Sequence, residues 1–408
     1  MAQLDLTAYD PVLKETFSSD FRDELVFNKK NKLFSMLKKD AKKGQGDVFE
    51  QPIGYSTAAG THNTFAEAKA NYVASKYKKF LVPRAKVYKF AKIENEVIRA
   101  SADDIGAFKP AISEIEKCYR GLGDYWEQRL FRSSNGAIGT IATGSNVTTK
   151  IATLTDQSDV HNFVVGQVCN LVSSAGSLRT GTLTVASINR SAGIVTFVED
   201  IDDISGAAVT DYIVTKGDWG LAPYGLMDWV VPGARTGLAT TFCNVDRSAD
   251  ADRLAGLYYD GSAQPMNEAL IDGLGYLADA GADGAIDGFV NPRTATTLFK
   301  LLEGKATISN LDRKVSQTIG FPGFNVVVGD TTMRLYTSRN CQRNYIWGLT
   351  MDTWQILSAG ENPSFLMERA GSMITPSHDF DGFECSMGGY ANLSCSAPGL
   401  NICIKVAG

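Results

Sequence analysis

The sequence predicts an α+β protein whose middle is interrupted by an all-β module. Three observations carry this reading. Residues 101–133 hold one long amphipathic helical pattern, Ile112 to Leu130. Residues 134–218 turn abruptly to Thr, Ser, Val, Gly and Ile, with glycine turns at short spacing. Residues 219–375 then alternate helical and strand-like stretches. With 408 residues, 44% of them hydrophobic and 21% charged, the chain can bury the cores of several domains without disulfides or metals.

Charge and reactive side chains narrow the function classes. The formal net charge of −5 argues against a strongly basic nucleic-acid binder. The charge is uneven: residues 1–100 carry +6 and the remainder −11. Seven cysteines, an odd number with no close pair, read as reduced, mostly buried thiols. His62, His161 and His378 are far apart, so a histidine metal site is not expected. The opening MAQLDLTAYD lacks the basic and apolar regions of a secretory signal. There is no run of about 18 apolar residues, so no membrane association is expected.

Residues 1–44 read as a basic helical arm. Asp10-Pro11 suits a helix start, and Leu33, Phe34 and Leu37 share a face among seven lysines between Lys29 and Lys43. Residues 45–100 read as a long two-armed excursion, 46–56 out and 78–100 back. The lysine- and alanine-rich segment 64–79 lies between the arms. Such an arm is marginal alone and needs a surface to lie on, for which a neighbouring subunit is one candidate. In the next segment Ile112, Ile115, Tyr119, Leu122, Trp126 and Leu130 step by three or four, with Glu127, Arg129 and Arg132 on the other faces. In 134–218, Asn189 to Gly193 reads as a turn between two alternating strands, and the block as a small barrel or sandwich. Beyond it, Pro265 opens a helix ended near Gly281, AIDGFV is a strand, and Asn291-Pro292 opens a second helix ended by Gly304. Strands are expected at 320–330, 344–349 and 353–358, and in the tail, where Asn401 to Val406 alternates.

Catalytic motifs are sparse. Gly273-Leu274-Gly275 lies inside a helical pattern and reads as a packing feature. Ser377-His378-Asp379 places three catalytic residue types side by side, but consecutive residues point in different directions. The run Glu199-Asp200-Ile201-Asp202-Asp203 lacks the glycine and terminal glutamate of a calcium loop and reads as a solvated turn, as do Asp246, Asp250 and Asp252. No catalytic, metal or cofactor-binding residue is assigned.

The order of segments, with GQVCNLV and GTLTVASINRSAGIVTF in the β-module and VNPRTATTLFKLLEG beyond it, resembles the major capsid proteins of tailed bacteriophages, the Hong Kong 97-like fold. The resemblance implies an N-terminal arm (1–44), an E-loop with its return strand (45–100), and a P-domain with the spine helix (101–143). After these come a β-rich insertion domain (144–218), an A-domain (219–375) and C-terminal P-domain strands (376–408). It implies a structural, non-enzymatic virion protein, assembled in the host bacterial cytoplasm. Hexamers and pentamers would form an icosahedral head around double-stranded DNA held by weak non-specific contact. Scaffolding and portal proteins are implied partners, with decoration proteins a further option. The arm begins almost at Met1, so a separate scaffold is expected. Phe17, Phe21, Leu33 and Phe34 in the arm, and Tyr55, Phe65, Tyr72 and Tyr77 in the loop, are the expected inter-subunit contacts, each also readable as a core residue. Some members crosslink an E-loop lysine; Lys69, Lys76, Lys78 and Lys79 are candidates by position. Another phage tail or decoration protein, an encapsulin-like compartment shell, and an unrecognised intracellular hydrolase remain the alternatives.

Overall fold

In the computed structural model the described residues are 31–40, 48–96, 110–233, 235, 241–282, 284–303, 324–360, 362, 364–365, 375–377 and 379–407. Phe17, Phe21, His378 and most of the expected arm lie outside them.

Helix α1 (Lys32–Met36) leads to strands β1 (Lys38–Asp40) and β2 (Val48–Ser56). Helix α2 (Phe65–Ala70), strands β3 (Lys76–Pro83) and β4 (Ala85–Glu94), and the long helix α3 (Pro110–Leu130) come next. Six short strands succeed it: β5 (Ala137–Thr140), β6 (Ile151–Thr153), β7 (Val168–Val172), β8 (Leu183–Asn189), β9 (Ile194–Phe197) and β10 (Tyr212–Thr215). Then come α4 (Leu226–Trp229), β11 (Thr241–Phe242), β12 (Val245–Asp246), α5 (Ala251–Ala255), β13 (Leu257–Asp260), α6 (Met266–Asp279), β14 (Ala285–Val290) and α7 (Pro292–Glu303). The chain continues through β15 (Phe324–Val328), β16 (Thr331–Thr337), β17 (Tyr345–Leu349), β18 (Trp354–Ser358), β19 (Ser364–Phe365), β20 (Thr375–Pro376), β21 (Gly382–Cys395) and β22 (Ile402–Lys405).

Among the described residues, two compact units are distinguished, one of 87–124 and 363–389, the other of 31–86, 125–362 and 390–408. In the smaller unit, β21 pairs antiparallel with β19 and β20 and also pairs with β4. Strand β4 alternates as a half-buried strand must: Val87, Ala91 and Ile93 point inward, while Tyr88 and Phe90 are exposed.

The larger unit holds two cores. The first lies in a mixed sheet of order β13-β22-β17-β14-β16-β15, covered by α6 and α7. Its helices start and stop where the chain chemistry directs. Pro265 precedes α6, Asn291 Oδ1 accepts the Arg293 N–H at 3.0 Å to open α7, and Gly281 at φ +89° lets the chain leave α6. Leu270, Leu274 and Leu277 face Ile402 and Ile404 of the sheet. The expected tail strand therefore pairs with residues 257–349, not with the strands of 382–395.

The second core belongs to the β-module, one sheet of order β5-β10-β7-β8-β9-β6. Leu171, Val185, Val195, Phe197 and Ile213 form its interior. The turn expected at Asn189 is present: its Oδ1 accepts from Ser191 Oγ at 2.8 Å and Ala192 N at 3.2 Å, and Gly193 sits at φ +68°. The module takes β5 as a strand, so its sheet begins ahead of the expected boundary at 144.

Helix α3 forms where the spacing predicts, and Leu122, Trp126 and Leu130 are buried. Its polar residues differ from expectation. Tyr119 is 44% exposed, whereas Glu127 and Arg129 are fully buried and Arg132 nearly so. The lysine-rich end of the arm also departs from a helix: Lys38–Asp40 is a strand, parallel to Gln355–Leu357 of β18. Its charged residues, Lys38, Lys39 and Asp40, suit a sheet edge, where charge discourages further pairing.

Candidate assembly surface

The surface that distinguishes this chain is the β2–β3 hairpin. Eight residue pairs from Val48↔Pro83 to Ser56↔Lys76 zip it together. Its foot is fixed to the larger unit. Phe49, Phe80 and Val82 are buried, each by about 2 kcal/mol of apolar transfer. The Phe80 ring meets Trp229 edge-on at 5.1 Å, and Phe242 packs against both. The Leu81 N–H donates to Cys243 O at 2.9 Å, and Asn392 Nδ2 donates to Pro83 O at 2.8 Å. Gln51 Oε1 accepts from Gln355 Nε2 at 3.0 Å. The Lys78 amine donates to Asp246 O and lies over the Tyr55 ring, and Lys79 pairs with Glu50 at 2.7 Å. These lysines are therefore held within their own chain, while Lys69 and Lys76 are exposed.

The tip has the opposite character. Thr64 caps α2 by accepting the Glu67 N–H at 3.4 Å, and no residue of that helix is buried. Phe65 is 85% exposed, Tyr77 74% and Tyr72 66%, with Val73 beside them. Four large apolar side chains on one outstretched arm form a surface that association would cover. Tyr55, at the irregularity between the Gly54↔Tyr77 and Ser56↔Lys76 pairs, is half-buried. Sequence reasoning named Phe65, Tyr72 and Tyr77; Val73, which bridges to Ala59, it missed.

Leu33 and Phe34 do not belong to this surface. Leu33 is fully buried and Phe34 is 7% exposed, stacked on Trp126 at 6.1 Å. They are core residues of the chain and have no face left for a neighbour.

The other polar candidates have structural partners. Asp246 and Asp250 accept the N–H groups of Ser248 at 2.9 Å and Arg253 at 3.1 Å. Glu199 accepts from both Thr184 N and Thr184 Oγ1, at 2.6 and 2.9 Å, which holds its carboxyl below the ordinary range. Gly273 packs on Ile404, as a helix–sheet contact. Burial pushes the Cys169 and Cys395 thiols up to about 12, so neither is a nucleophile at neutral pH. Buried charges tie the end of α3 to residues 133–136, 218 and 228. Arg129 donates to Asp218 and Gly136 O, both at 2.6 Å, and Asp228 accepts from Ser133 Oγ at 2.7 Å and Ser134 N at 2.8 Å.

A spine-like helix, an inserted β-module, a mixed sheet with two covering helices and an outstretched hairpin together define a Hong Kong 97-like capsid fold. The comparisons with solved structures bear this out. The chain is similar to the capsid subunit of cyanophage A-1(L), at 11% identity and a TM-score of 0.63, over 98% of this chain and 99% of that one. It is also similar to the capsid of the empty GTA particle, at 10% identity and a TM-score of 0.54, over the full length of both. The encapsulin of Synechococcus elongatus PCC 7942 matches at 8% identity and a TM-score of 0.44, over 99% of this chain and 96% of that one. No family model and no curated protein matches the sequence.

Proposed function

We propose that this chain is the major capsid protein of a tailed phage, a structural subunit that assembles as hexamers and pentamers into an icosahedral head around double-stranded DNA. The observation that carries the reading is the end-to-end likeness in fold to the cyanophage A-1(L) capsid subunit. The hairpin supports it: a buried foot and an apolar, exposed tip suit an arm that is covered by a neighbour. On this reading β2–β3 is the E-loop and α3 the spine helix. The six-stranded β-module is the insertion domain, and the sheet with α6 and α7 forms the core of the A-domain. Phe65, Tyr72 and Tyr77 are the proposed inter-subunit contacts, with Tyr55 on the same arm. Many small apolar contacts, each weak, give a shell that is stable in sum and reversible in its parts. Scaffolding and portal proteins are the proposed partners, with decoration proteins as further candidates. The proposed setting is the virion, assembled in the bacterial cytoplasm.

Rate-zonal sedimentation of the expressed chain tests the proposal. Megadalton particles, or discrete rings of five and six subunits, are expected. A chain that sediments only as a monomer across a hundredfold concentration range contradicts it.

A further inference from the structure

A cavity of about 600 Å³ lies on the flank of the hairpin. It forms where β2, α5, the end of α6 and the turn before β22 come together, and all of its lining belongs to the larger unit. Its volume is in the range that takes a small ligand or a few side chains. Ile53, Leu257 and Leu400 make part of the lining apolar, while Asp250, Asp252 and Asp279 make part of it acidic.

The three carboxylates are not equivalent. Asp250 accepts the Arg253 N–H and stands 3.7 Å from the Arg253 guanidinium, and Asp252 stands 3.6 Å from that of Arg235. Asp279 is exposed and has no ion-pair partner among the described residues. It is the last residue of α6, whose final turn carries no basic residue. The carbonyl end of a helix already has negative potential, so a carboxylate there is set against the helix dipole. A cation at this side of the cavity would relieve both.

The hairpin tip carries a matching pair of groups. Phe65 and Lys69 stand four residues apart in α2 and so share one face of that helix. Phe65 is 85% exposed, and Lys69 is exposed and without an ion pair among the described residues. The one carboxylate beside them, Glu67, accepts from Asn71 at 3.3 Å. This tip does not serve its own cavity. Pro52 to Gly54 of β2 line the cavity, and the Ala59↔Val73 bridge carries the arm about 16 Å beyond Gly54, at about 3.3 Å per residue, before α2 begins. The exposure of Phe65 agrees, since its ring is left uncovered by its own chain.

We infer that the cavity receives α2 of a second copy of this chain, with the Phe65 ring against the apolar lining and the Lys69 amine at Asp279. The inference rests on the shell reading and adds to it the surface that receives the tip. An aromatic anchor seated in a partner's pocket is the kind of contact that carries most of an interface's affinity. The donating and receiving surfaces differ, so the contact is heterologous. Such contacts run head to tail and close into rings when the rotation allows, as rings of five and six subunits require.

Charge reversal in the full chain tests this, with particle and ring formation followed by light scattering and sedimentation over a concentration series. Lys69 and Asp279 are exposed, so K69E and D279K should keep the wild-type circular dichroism spectrum. D279K should unfold at the same or a slightly higher temperature, because it removes a carboxylate from the carbonyl end of α6. Each single variant should need at least about tenfold more protein than wild type to assemble. The double variant K69E/D279K should return to within about threefold of wild type. The control K69E/D202K, whose second reversal lies in the β-module, should stay impaired. An effect of D279K alone would assign the cavity to a partner other than the tip, and an effect of K69E alone would send the tip elsewhere. Either result overturns the inference, as does a double variant that fails to recover. A wild-type chain that never forms particles or rings removes the shell reading itself, and the inference with it, before any variant is compared.

Discussion

The carboxylate of Glu127 accepts the backbone N–H of Phe34 at 2.7 Å. The same group accepts the Leu33 N–H and the Ser338 hydroxyl, at 3.2 and 3.1 Å. Helix α1 is only five residues long and has no side-chain cap of its own. A charge buried on the long helix thus supplies the cap, and fixes where the arm enters the larger unit. Removing it leaves two buried backbone donors and the Ser338 hydroxyl without this acceptor. Glu127→Ala should therefore cost about 3 kcal/mol in urea unfolding, and Glu127→Gln, which keeps one acceptor, about half of that. Equal stability of Glu127→Ala and wild type would contradict this role.

The hairpin tip should matter for assembly and little for folding. Phe65, Tyr72 and Tyr77 are exposed in the chain, so the triple serine variant should unfold within about 0.5 kcal/mol of wild type. Under the capsid proposal it should fail to form particles at concentrations where wild type does. Normal particles from this variant would remove the tip from the proposed interface.

Two glycines in one helix should respond with opposite signs. A β-carbon at Gly273 would stand 2.6 Å from Ile404 Cδ1, whereas Gly275 has open space around it. Gly273→Ala should destabilise by about 1–3 kcal/mol through overpacking. Gly275→Ala should stabilise by up to about 1 kcal/mol through helix propensity. Differential thermal unfolding of the two variants reads both.

Asp159 gives a pH signature. Burial is the largest influence on its carboxyl and raises the pKa from 3.8 to about 6, with Arg132 acting against that rise. Between about pH 4 and 6 the folded chain therefore holds a proton that the unfolded chain has released. Stability attributable to this group should fall as pH rises through that window, by about 1.4 kcal/mol per pH unit, and level off above it. Asp159→Asn should lose this slope. Urea midpoints at pH 4.5, 5.5 and 6.5 for both proteins test it, and parallel profiles would contradict it.

The elements most legible in the sequence were those whose signal is local. The step of Leu122, Trp126 and Leu130 marks α3, and Asn189 to Gly193 marks a turn, because apolar spacing and turn chemistry need no distant partner. The exposed aromatics of the tip were legible because a thin arm has no interior in which to hide them. What failed depends on partners far away in the chain. Glu127 and Arg129 look like surface charges until Leu33 and Phe34, or Asp218, are brought to them. Lys38 to Asp40 looks helical until β18 offers an edge. Ile402 to Lys405 was recognised as a strand, but its place between β13 and β17 is a property of the sheet alone. The cavity beside the hairpin was invisible for the same reason, since its lining is spread from Pro52 to Leu400.

The most direct test of the central claim is negative-stain electron microscopy of the purified chain across a concentration series. The capsid proposal predicts closed shells, or free rings of five and six subunits. A monodisperse monomer at every concentration, or open tubes, would contradict it.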